Sequence, residues 1–312
     1  MQWVSILGGE HLSFAALQKE DNEFLKNYDV VMMSGHPGYM VDIVRIGKML
    51  KDSKTISIFY PEGSAQLYDN SINGYQPLYY EAWNACDILS IAEEDKVSYY
   101  ESFVSGDTLV RFIHVPTTQE MSASMFLQGR ESKRDQIIVY GDNNPNHPLI
   151  ALAAVDQLCQ RMAKDFLVIG VETRDADFKL TFPGLAVRQI HKQGQYPFLR
   201  LLGESVINFY PTEWIGTARH QISCAAVGTP CIGNKDSHTQ RRLFPRLGVN
   251  IYDVKGMADL AQELLNSNSF YKEIADYASS QMGFYDMGMT LNRLFFAVSD
   301  ALKKFKQESI AV

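Results

Sequence analysis

The sequence predicts an α/β protein built from two parallel-sheet domains, and three observations support this. Short β-rich runs alternate with helical segments along the whole chain, and such alternation implies parallel sheets joined by right-handed crossovers. Several of the runs are continuously apolar, as strands covered on both faces should be. With 312 residues and 46% hydrophobic content, the chain is long enough to form more than one core.

The strands are expected from short runs of β-forming residues bounded by turn residues. In the first half we expect strands near Trp3–Leu7, Tyr28–Met33, Thr55–Tyr60, Ile88–Ile91 and Arg111–Val115. In the second half we expect them near Gln136–Tyr140, Phe166–Gly170, Ala186–Ile190, Val206–Tyr210, Cys231–Gly233 and Val249–Tyr252. Helices are expected at Leu149–Lys164, Met257–Asn266, Phe270–Gln281 and Leu291–Gln307. The last helix ends in Lys303, Lys304 and Lys306, which suit a helix C-terminus and are expected to be solvated.

One polar segment, Thr117–Asp135, interrupts the alternation and ends in a run of charges, which is typical of an inter-domain linker. We therefore predict a first domain of residues 1–118, a linker of 119–135 and a second domain of 136–285. A C-terminal helix, 286–312, would be able to pack back on the first domain. The carboxyl ends of the two sheets would then face a central cleft, which is where open α/β sheets bind ligands.

Charge and cysteine content restrict the class of protein. The net charge is −7; residues 1–130 carry 9 Lys and Arg against 17 Asp and Glu, a balance of −8, and the remainder is near neutral. An acidic first half argues against broad binding to nucleic acid or anionic membrane. The four cysteines show no C-x-x-C spacing, which favours buried free thiols in a reducing compartment. Without a signal peptide or a long apolar run, we predict a cytoplasmic protein with no integral membrane association.

The segment 206–233 is the most informative part of the sequence, because it predicts strand, polar loop, short helix, glycine stop and strand. Arg219 and His220 fall in the first turn of that helix, where a cation opposes the helix dipole by about 0.3–1 kcal/mol. An anion bound between Arg219 and the free amides of Thr217 and Ala218 would explain the placement. Alternatively, Arg219 is solvated or paired with Glu213.

Four loops that follow predicted strands are rich in Gly, Asn, Asp and His. In the first half, Glu10 and His36 are candidate acid–base groups, although each could equally be an ordinary surface residue. In the second half, the loops that contain Asp142 and Arg174 could hold a phosphate or sugar hydroxyls, or could only form turns and surface ion pairs. The P-loop, dinucleotide-binding and serine-hydrolase motifs are absent from the sequence, and no residues show metal-ligand spacing.

Three sequence segments resemble those of a known enzyme family. SCAAVGTPCIG at Ser223–Gly233 resembles the signature E-A-M-A-x-G-x-P-V-I of GT-B-fold glycosyltransferases. Weaker similarities are IVYGDNN at the start of the second domain and ACDILSIAEEDKVSYYESF at Ala85–Phe103. The resemblance implies that the second domain holds a nucleotide-diphosphate sugar, with the diphosphate at the helix that starts near Thr217 and the base near Arg188–His191.

One departure from the family concerns two glutamates that many retaining members carry eight residues apart. Counting back from Gly228 places Ser223 and Ile215 at those positions, whereas Glu213 and Gln221 are eight apart but out of register. Combining the loops with the resemblance, we expect a nucleotide-sugar-binding set that consists of Gly9, Asp142, Asn143, Glu172, Arg174, Gln189, His191, Tyr210, Thr212, Glu213, Thr217, Ala218, His220, Ser223 and Lys235.

The functional hypothesis is transfer of a sugar from a nucleotide-diphosphate sugar, with a UDP-sugar favoured, to an acceptor bound by the first domain. Arg219 and the helix amides would stabilise the leaving diphosphate without a metal, and Glu10 or His36 would deprotonate the acceptor if transfer inverts the anomeric centre. No permanently bound cofactor is expected, and the acceptor (small molecule, glycan, protein or modified DNA base) is not identified. The alternatives are a nucleotide-sugar epimerase of the same fold and a catalytically inert, glycosyltransferase-like binding subunit.

Overall fold

The computed structural model comprises two compact units, Met1–Thr117 with Met287–Val312 (unit 1) and Thr118–Asp286 (unit 2). It describes residues 7–17, 22–35, 37–61, 76–114, 133–141, 146–171, 181–191, 194–213 and 218–306. Each unit contains one sheet of parallel strands with helices along the chain between them, so the predicted α/β fold class is confirmed.

Unit 1 contains, within the described residues, a four-stranded sheet in the order β1-β2-β3-β4. Its strands are β1 Val30–Gly35, β2 Ile56–Pro61, β3 Ile88–Ile91 and β4 Leu109–Phe112. Its helices are α1 Phe14–Leu17, α2 Met40–Lys51, α3 Gln76–Ala85, α4 Val97–Glu101 and, from the C-terminal part of the chain, α11 Met287–Ala301. Each neighbouring pair of strands is parallel. The strand expected at Trp3–Leu7 falls, apart from Leu7, outside the described residues.

The sheet of unit 1 is covered on both faces, which explains why β2 is buried along its whole length. On one face, Phe59 belongs to a core that includes Trp83 of α3. On the other face, Ile56 and Ile58 pack with Leu294 of α11. Burial on two faces favours the continuous apolar run from which this strand was predicted.

One prediction about the C-terminal helix is wrong. Lys306, at the end of the π-helical turn Leu302–Lys306 that follows α11, is buried rather than solvated. Its Nζ lies 3.4 Å from Oδ1 of the buried Asp87 and donates to the carbonyl of Lys51 at 2.8 Å. A buried ammonium is tolerated only with such partners. Lys303 and Lys304 are exposed, as expected.

Unit 2 contains, within the described residues, a six-stranded parallel sheet in the order β10-β9-β8-β5-β6-β7. Its strands are β5 Arg134–Tyr140, β6 Leu167–Val171, β7 Ala186–Ile190, β8 Ser205–Tyr210, β9 Cys231–Asn234 and β10 Gly248–Val249. Its helices are α5 Asn146–Met162, α6 Gln195–Glu204, α7 Arg219–Ala226, α8 His238–Leu243, α9 Val254–Asn266 and α10 Asn268–Ser280. Short 3₁₀ turns complete the two units at Asn22–Asn27, Pro37–Tyr39, Glu94–Lys96, Pro245–Leu247 and Met282–Tyr285.

The strand predicted at Val249–Tyr252 is shorter than expected. Only Gly248 and Val249 pair with β9, because the chain turns immediately afterwards. The Oδ1 atom of Asn250 accepts the amide of Tyr252 at 3.0 Å, which is an Asx turn that takes the place of a strand ladder.

The glycine predicted to end α7 does so. Gly228 has φ of +66°, and its amide donates to the carbonyl of Ala225 while the amide of Thr229 donates to that of Cys224. This pair of bonds is the Schellman arrangement, which favours glycine because only glycine adopts a positive φ without strain.

All four cysteines are free, and three of them are buried. Within the described part of the chain, no helix has both the length and the apolar character that crossing a bilayer requires.

Candidate functional site

The sheet of unit 2 has a point at which its strand order reverses. The chain proceeds from β5 outward through β6 and β7, and then returns to form β8 on the other side of β5. In open parallel sheets the crevice outside the carboxyl ends of two such strands is the usual ligand site. Two helices, α5 after β5 and α7 after β8, begin there. This edge of unit 2 is therefore the candidate site.

Four aromatic rings surround this point. His220, in the first turn of α7, lies 4.1 Å from the ring of Tyr140 at the end of β5 and 5.0 Å from the ring of Tyr210 at the end of β8. The ring of Phe198 on α6 is 5.6 Å away. Burial among these rings lowers the pKa of His220 to about 3, because the charged form is desolvated. His220 is therefore a neutral part of the wall at physiological pH.

His220 therefore adds no cation to the start of α7. Its Nε2 faces the thiol of Cys224 at 3.8 Å, and its buried Nδ1 has no hydrogen-bond partner among the described residues. A neutral imidazole does not oppose the dipole of α7. Arg219 is then the only cation in the first turn of this helix.

The guanidinium of Arg219 remains exposed and forms no ion pair with any residue that the structure describes. The alternative partner, Glu213, has a carboxylate that instead accepts a hydrogen bond from Tyr252 at 3.0 Å. The start of α7 has no acidic residue in its first turn and no side-chain cap. An uncapped helix start with an unpaired arginine is suited to binding an anion.

The amides available to such an anion differ from those predicted. The amide of Ala218 is not free, because it donates to Oγ1 of Thr239 on α8 at 2.9 Å. The first-turn amides of Arg219, His220 and Gln221 instead have no partner within the helix, as is general for helix starts. Thr217 lies outside the described residues.

Glu213 is held at the same edge by two groups. Besides Tyr252, the Nε2 atom of His147 lies 3.7 Å from Oε1 of Glu213, and His147 is buried in the first turn of α5. The hydrogen bond to Glu213 raises the pKa of Tyr252. A fixed carboxylate beside a ligand site is well suited to accept sugar hydroxyls.

Buried side-chain amides of two glutamines form a hydrogen-bond network at the start of α7. Nε2 of Gln221 donates to Oε1 of Gln240 at 2.5 Å, and Nε2 of Gln240 donates to the carbonyl of Cys231 at 3.0 Å. Gly233 on β9 permits this arrangement, because a Cβ there would lie 2.7 Å from Gln240 and 3.0 Å from the carbonyl of Tyr210. Gly233, the last residue of the segment quoted for the family resemblance, thus has a packing role.

The remaining predicted residues of unit 2 fall into three groups. Gln189 and His191, at the end of the outer strand β7, are exposed, as is Lys235 after β9. Thr212 is fully buried, so its side chain is not exposed to a ligand, contrary to the prediction. Ser223 is half-buried. Four others lie outside the described residues: Asp142, Asn143, Glu172 and Arg174.

In unit 1 only one of the two predicted acid–base residues, Glu10, lies within the described residues. Glu10 is exposed, and its carboxylate accepts a hydrogen bond from the hydroxyl of Tyr28 at 2.5 Å. Tyr28 precedes the first residue of β1, so this carboxylate lies toward the amino end of the strand rather than at the carboxyl edge, contrary to expectation. Gly9 is exposed beside it, and His36 lies outside the described residues.

Sequence reasoning missed four residues that the structure makes prominent. Tyr140 and His147 line the switch point of unit 2. His114 and Glu93 are buried directly after β4 and β3 of unit 1. The sequence signal that could have found them is their position along the chain. Tyr140 ends an apolar strand, Glu93 and His114 follow one, and His147 lies in the first turn of the next helix. Among the described residues, no three His, Cys, Asp or Glu side chains are grouped so as to hold a metal ion.

The comparisons with known proteins rest on structure alone. No family model and no curated protein matches the sequence. A UDP-forming α,α-trehalose-phosphate synthase from Burkholderia xenovorans is similar with a TM-score of 0.68 at 12% identity, over 96% of this chain and 83% of that one. The sucrose-phosphate synthase of Thermosynechococcus elongatus is similar with a TM-score of 0.67 at 12% identity, over 92% and 77%.

The N-terminal domain of trehalose-6-phosphate phosphatase from Candida albicans is a third similar structure. Its TM-score is 0.67 at 11% identity, over 96% of this chain and 78% of that one. The two synthases are GT-B glycosyltransferases, and the chain has their fold. The predicted GT-B fold is thereby confirmed. Identity of this order establishes the fold, and the function is argued below from the site.

Proposed function

We propose that the chain is a glycosyltransferase that moves a sugar from a nucleotide-diphosphate sugar to an acceptor. Unit 2 binds the donor at the switch point of its sheet, and Arg219 with the first-turn amides of α7 binds the diphosphate. As the bond between the anomeric carbon and the phosphate oxygen breaks, negative charge grows on the diphosphate. Fixed donors aimed at that charge lower the barrier. Unit 1 binds the acceptor.

The observation that carries this proposal is that Arg219, on the uncapped start of α7, forms no ion pair with any described residue. Two other helices of unit 2 have conventional starts: Asp253 caps α9 and Ser267 caps α10 through side-chain hydrogen bonds. Such a cap contributes about 1 kcal/mol. At α7 both the cap and the acidic first turn are missing, and a cation is present. A bound diphosphate would provide the missing partner for both the amides and the guanidinium.

Uridine diphosphate is the nucleotide we favour, because the similar trehalose-phosphate synthase is described as UDP-forming. The walls of the switch point agree with a nucleotide-sugar. Tyr140 and Tyr210 offer aromatic surface, and Glu213 offers a carboxylate to hydroxyl groups. The acceptor is left open.

The test is the variant Arg219→Ala, assayed with UDP-glucose, UDP-galactose and UDP-N-acetylglucosamine by UDP release. We expect a loss of about 2–4 kcal/mol of transition-state stabilisation, which is roughly a 30- to 1,000-fold fall in kcat/KM. Lys255→Ala is the matched control, because it removes an exposed cation from the first turn of α9. It should leave turnover within about twofold of wild type, since no donor group is proposed there.

The alternative functions give different results in the same set of experiments. An epimerase would convert the sugar of the donor in the absence of any acceptor, which chromatography of the sugar nucleotides detects. An inert subunit would show no heat of binding to UDP or GDP by calorimetry. Full activity in Arg219→Ala would contradict the proposed role of this residue.

A further inference from the structure

The C-terminal helix of unit 1 has one buried face and one exposed apolar face. Leu294, Ala297 and Ala301 of α11 are buried against the sheet of unit 1. Their spacing of three and four residues places them on one side of the helix. On the rest of the helix surface, Phe295 and Phe296 are 61% and 72% exposed, although both are large apolar side chains.

Two more apolar side chains extend the exposed face toward both ends of the helix. Met289 lies two turns before Phe296, and Leu302 follows Phe295 at the same spacing, so each pair shares a side of the helix. Both Met289 and Leu302 are exposed. Single exposed apolar residues are common, but a contiguous group of them marks an interaction surface. We call this group the α11 patch, which consists of Met289, Phe295, Phe296 and Leu302.

The order of residues in the α11 patch indicates what covers it, because the patch is complementary to itself in the antiparallel direction. When two copies of α11 are paired about a point between Phe295 and Phe296, Met289 of one copy faces Leu302 of the other. The phenylalanines of the two copies face each other at the centre. A two-fold interface requires this reciprocal match, in which each residue meets on the partner the residue that meets it in return.

The polar residues of the same face fit the antiparallel arrangement as well. Asn292 and Ser299 lie along the middle of the exposed face and face each other across the pair, where amide and hydroxyl can form hydrogen bonds. Asp286 comes directly before α11 and Lys303 directly after Leu302, so the acidic end of each helix lies near the basic end of the other. Opposed helix dipoles also attract, whereas a parallel pair brings like charges together.

We infer that the α11 patch binds the α11 patch of a second copy of this chain, with the two helices antiparallel. The result is a two-fold dimer, and the inference does not depend on the glycosyl transfer proposed above. An anionic membrane is the less suitable occupant. Residues 1–130, most of which belong to unit 1, carry 17 Asp and Glu against 9 Lys and Arg, and such a negative field repels an anionic bilayer.

The size of the α11 patch predicts a weak dimer. Four exposed phenyl rings, two from each copy, bury on the order of 500 Å² on pairing, which is about half of the roughly 1,000 Å² that a specific interface requires. The methionine, the leucine and the lysine stems supply the remainder. We therefore expect a dissociation constant on the order of 1–100 μM.

The first experiment measures the mass of the whole chain by sedimentation equilibrium at concentrations below and above that range. Wild type should shift from one chain to two as concentration rises. Phe296→Ser should weaken association by at least about 30-fold, because each dimer loses two central rings. Tyr277→Ser is the matched control, since it removes an exposed aromatic side chain from another helix, α10, and should leave association unchanged.

Two additional measurements keep this test interpretable. Circular dichroism spectra and thermal unfolding of the dilute, monomeric variants show whether each one folds as wild type does. Phe295→Ser is a second variant of the same patch and should weaken association to a similar degree, so the inference remains testable if Phe296→Ser does not fold.

The second experiment tests the antiparallel direction with a short bismaleimide crosslinker that joins two thiols. The double variant Asn292→Cys with Ser299→Cys should give a covalent dimer, because residue 292 of one copy faces residue 299 of the other. Each single variant should give little, because its two introduced thiols lie two turns apart. Wild type measures the background from the four natural cysteines.

Each outcome supports or overturns the inference. A chain that stays monomeric throughout overturns it, and so does a dimer that both patch variants leave intact. Single-cysteine variants that crosslink as well as the double variant overturn the antiparallel pairing. A monomer that sediments with vesicles of phosphatidylserine and phosphatidylcholine assigns the patch to a membrane instead. Loss of the dimer in both patch variants and in neither the control nor wild type, together with crosslinking only in the double variant, supports it.

Discussion

The neutral His220 predicts a specific loss of stability in acid. In the unfolded chain a histidine binds a proton below about pH 6.5, whereas burial lowers the pKa of His220 in the folded chain to about 3. Between these values the unfolded state holds more protons, so stability rises with pH and is lost as pH falls. His220 therefore lowers the free energy of unfolding by about 2 kcal/mol at about pH 5 relative to about pH 7.5.

The perturbation that isolates this effect is His220→Phe. A phenyl ring fits among Tyr140, Tyr210 and Phe198 and cannot be protonated. The free energy of unfolding is measured by urea denaturation, followed by circular dichroism, for wild type and variant at both pH values. The free energy of unfolding of the variant minus that of wild type should increase by about 2 kcal/mol from the higher to the lower pH. His191→Phe is the control, because that ring is exposed and solvated in both states.

The comparison between variants is needed because Glu93 acts in the opposite direction. Burial raises the pKa of Glu93 to about 7, so the folded state holds more protons between about pH 4.5 and 7, and stability falls as pH rises. The two contributions partly cancel in wild type alone. A difference between wild type and His220→Phe that stays constant with pH would refute the argument that His220 is held neutral.

Two further predictions concern stability. Lys306→Met leaves the buried Asp87 without its cation and should lower the free energy of unfolding by about 3 kcal/mol. The control, Lys303→Met, removes an exposed lysine and should change the free energy of unfolding by less than about 0.5 kcal/mol. Both are measured by urea denaturation, and equal effects would contradict the buried pair. Gly228→Ala, at φ of +66°, should cost about 1–2 kcal/mol in the same assay, and a neutral effect would argue against the left-handed helix end.

Much of the fold could be predicted from sequence, because burial on two faces gives a local signal. The bounds of β3 and β7 match the expected Ile88–Ile91 and Ala186–Ile190. Where the prediction failed, a competing local or distant interaction decided the outcome. The side chain of Asn250 ended β10 early, and the burial of Lys306 depends on Asp87, which is far away in sequence.

The candidate site was less accessible to sequence reasoning, because its chemistry depends on contacts between elements. His220 is neutral because rings from β5, β8 and α6 surround it, and no local pattern specifies those neighbours. The amide of Ala218 is occupied because α8 presents Thr239 to it. Glu93 was part of a quoted motif, but only its burial distinguishes it from the exposed acidic residues that follow.

The anion site at α7 is better supported by the structure than by the sequence argument that first suggested it. The sequence argument relied on Arg219 and the amides of Thr217 and Ala218; in the structure the amide of Ala218 is occupied by Thr239, and the first-turn amides of Arg219, His220 and Gln221 are available instead. Because His220 is neutral, it adds no charge that opposes the helix dipole. What is left is a helix start whose side-chain cap and first-turn acid are both missing. In unit 2 the helices α9 and α10 are capped by side chains, whereas α6 and α8 begin without a side-chain cap, as α7 does; what distinguishes α7 is the exposed arginine at its first residue. An anion with several oxygens satisfies the amides and the guanidinium together, which is why a diphosphate fits this site better than a single carboxylate.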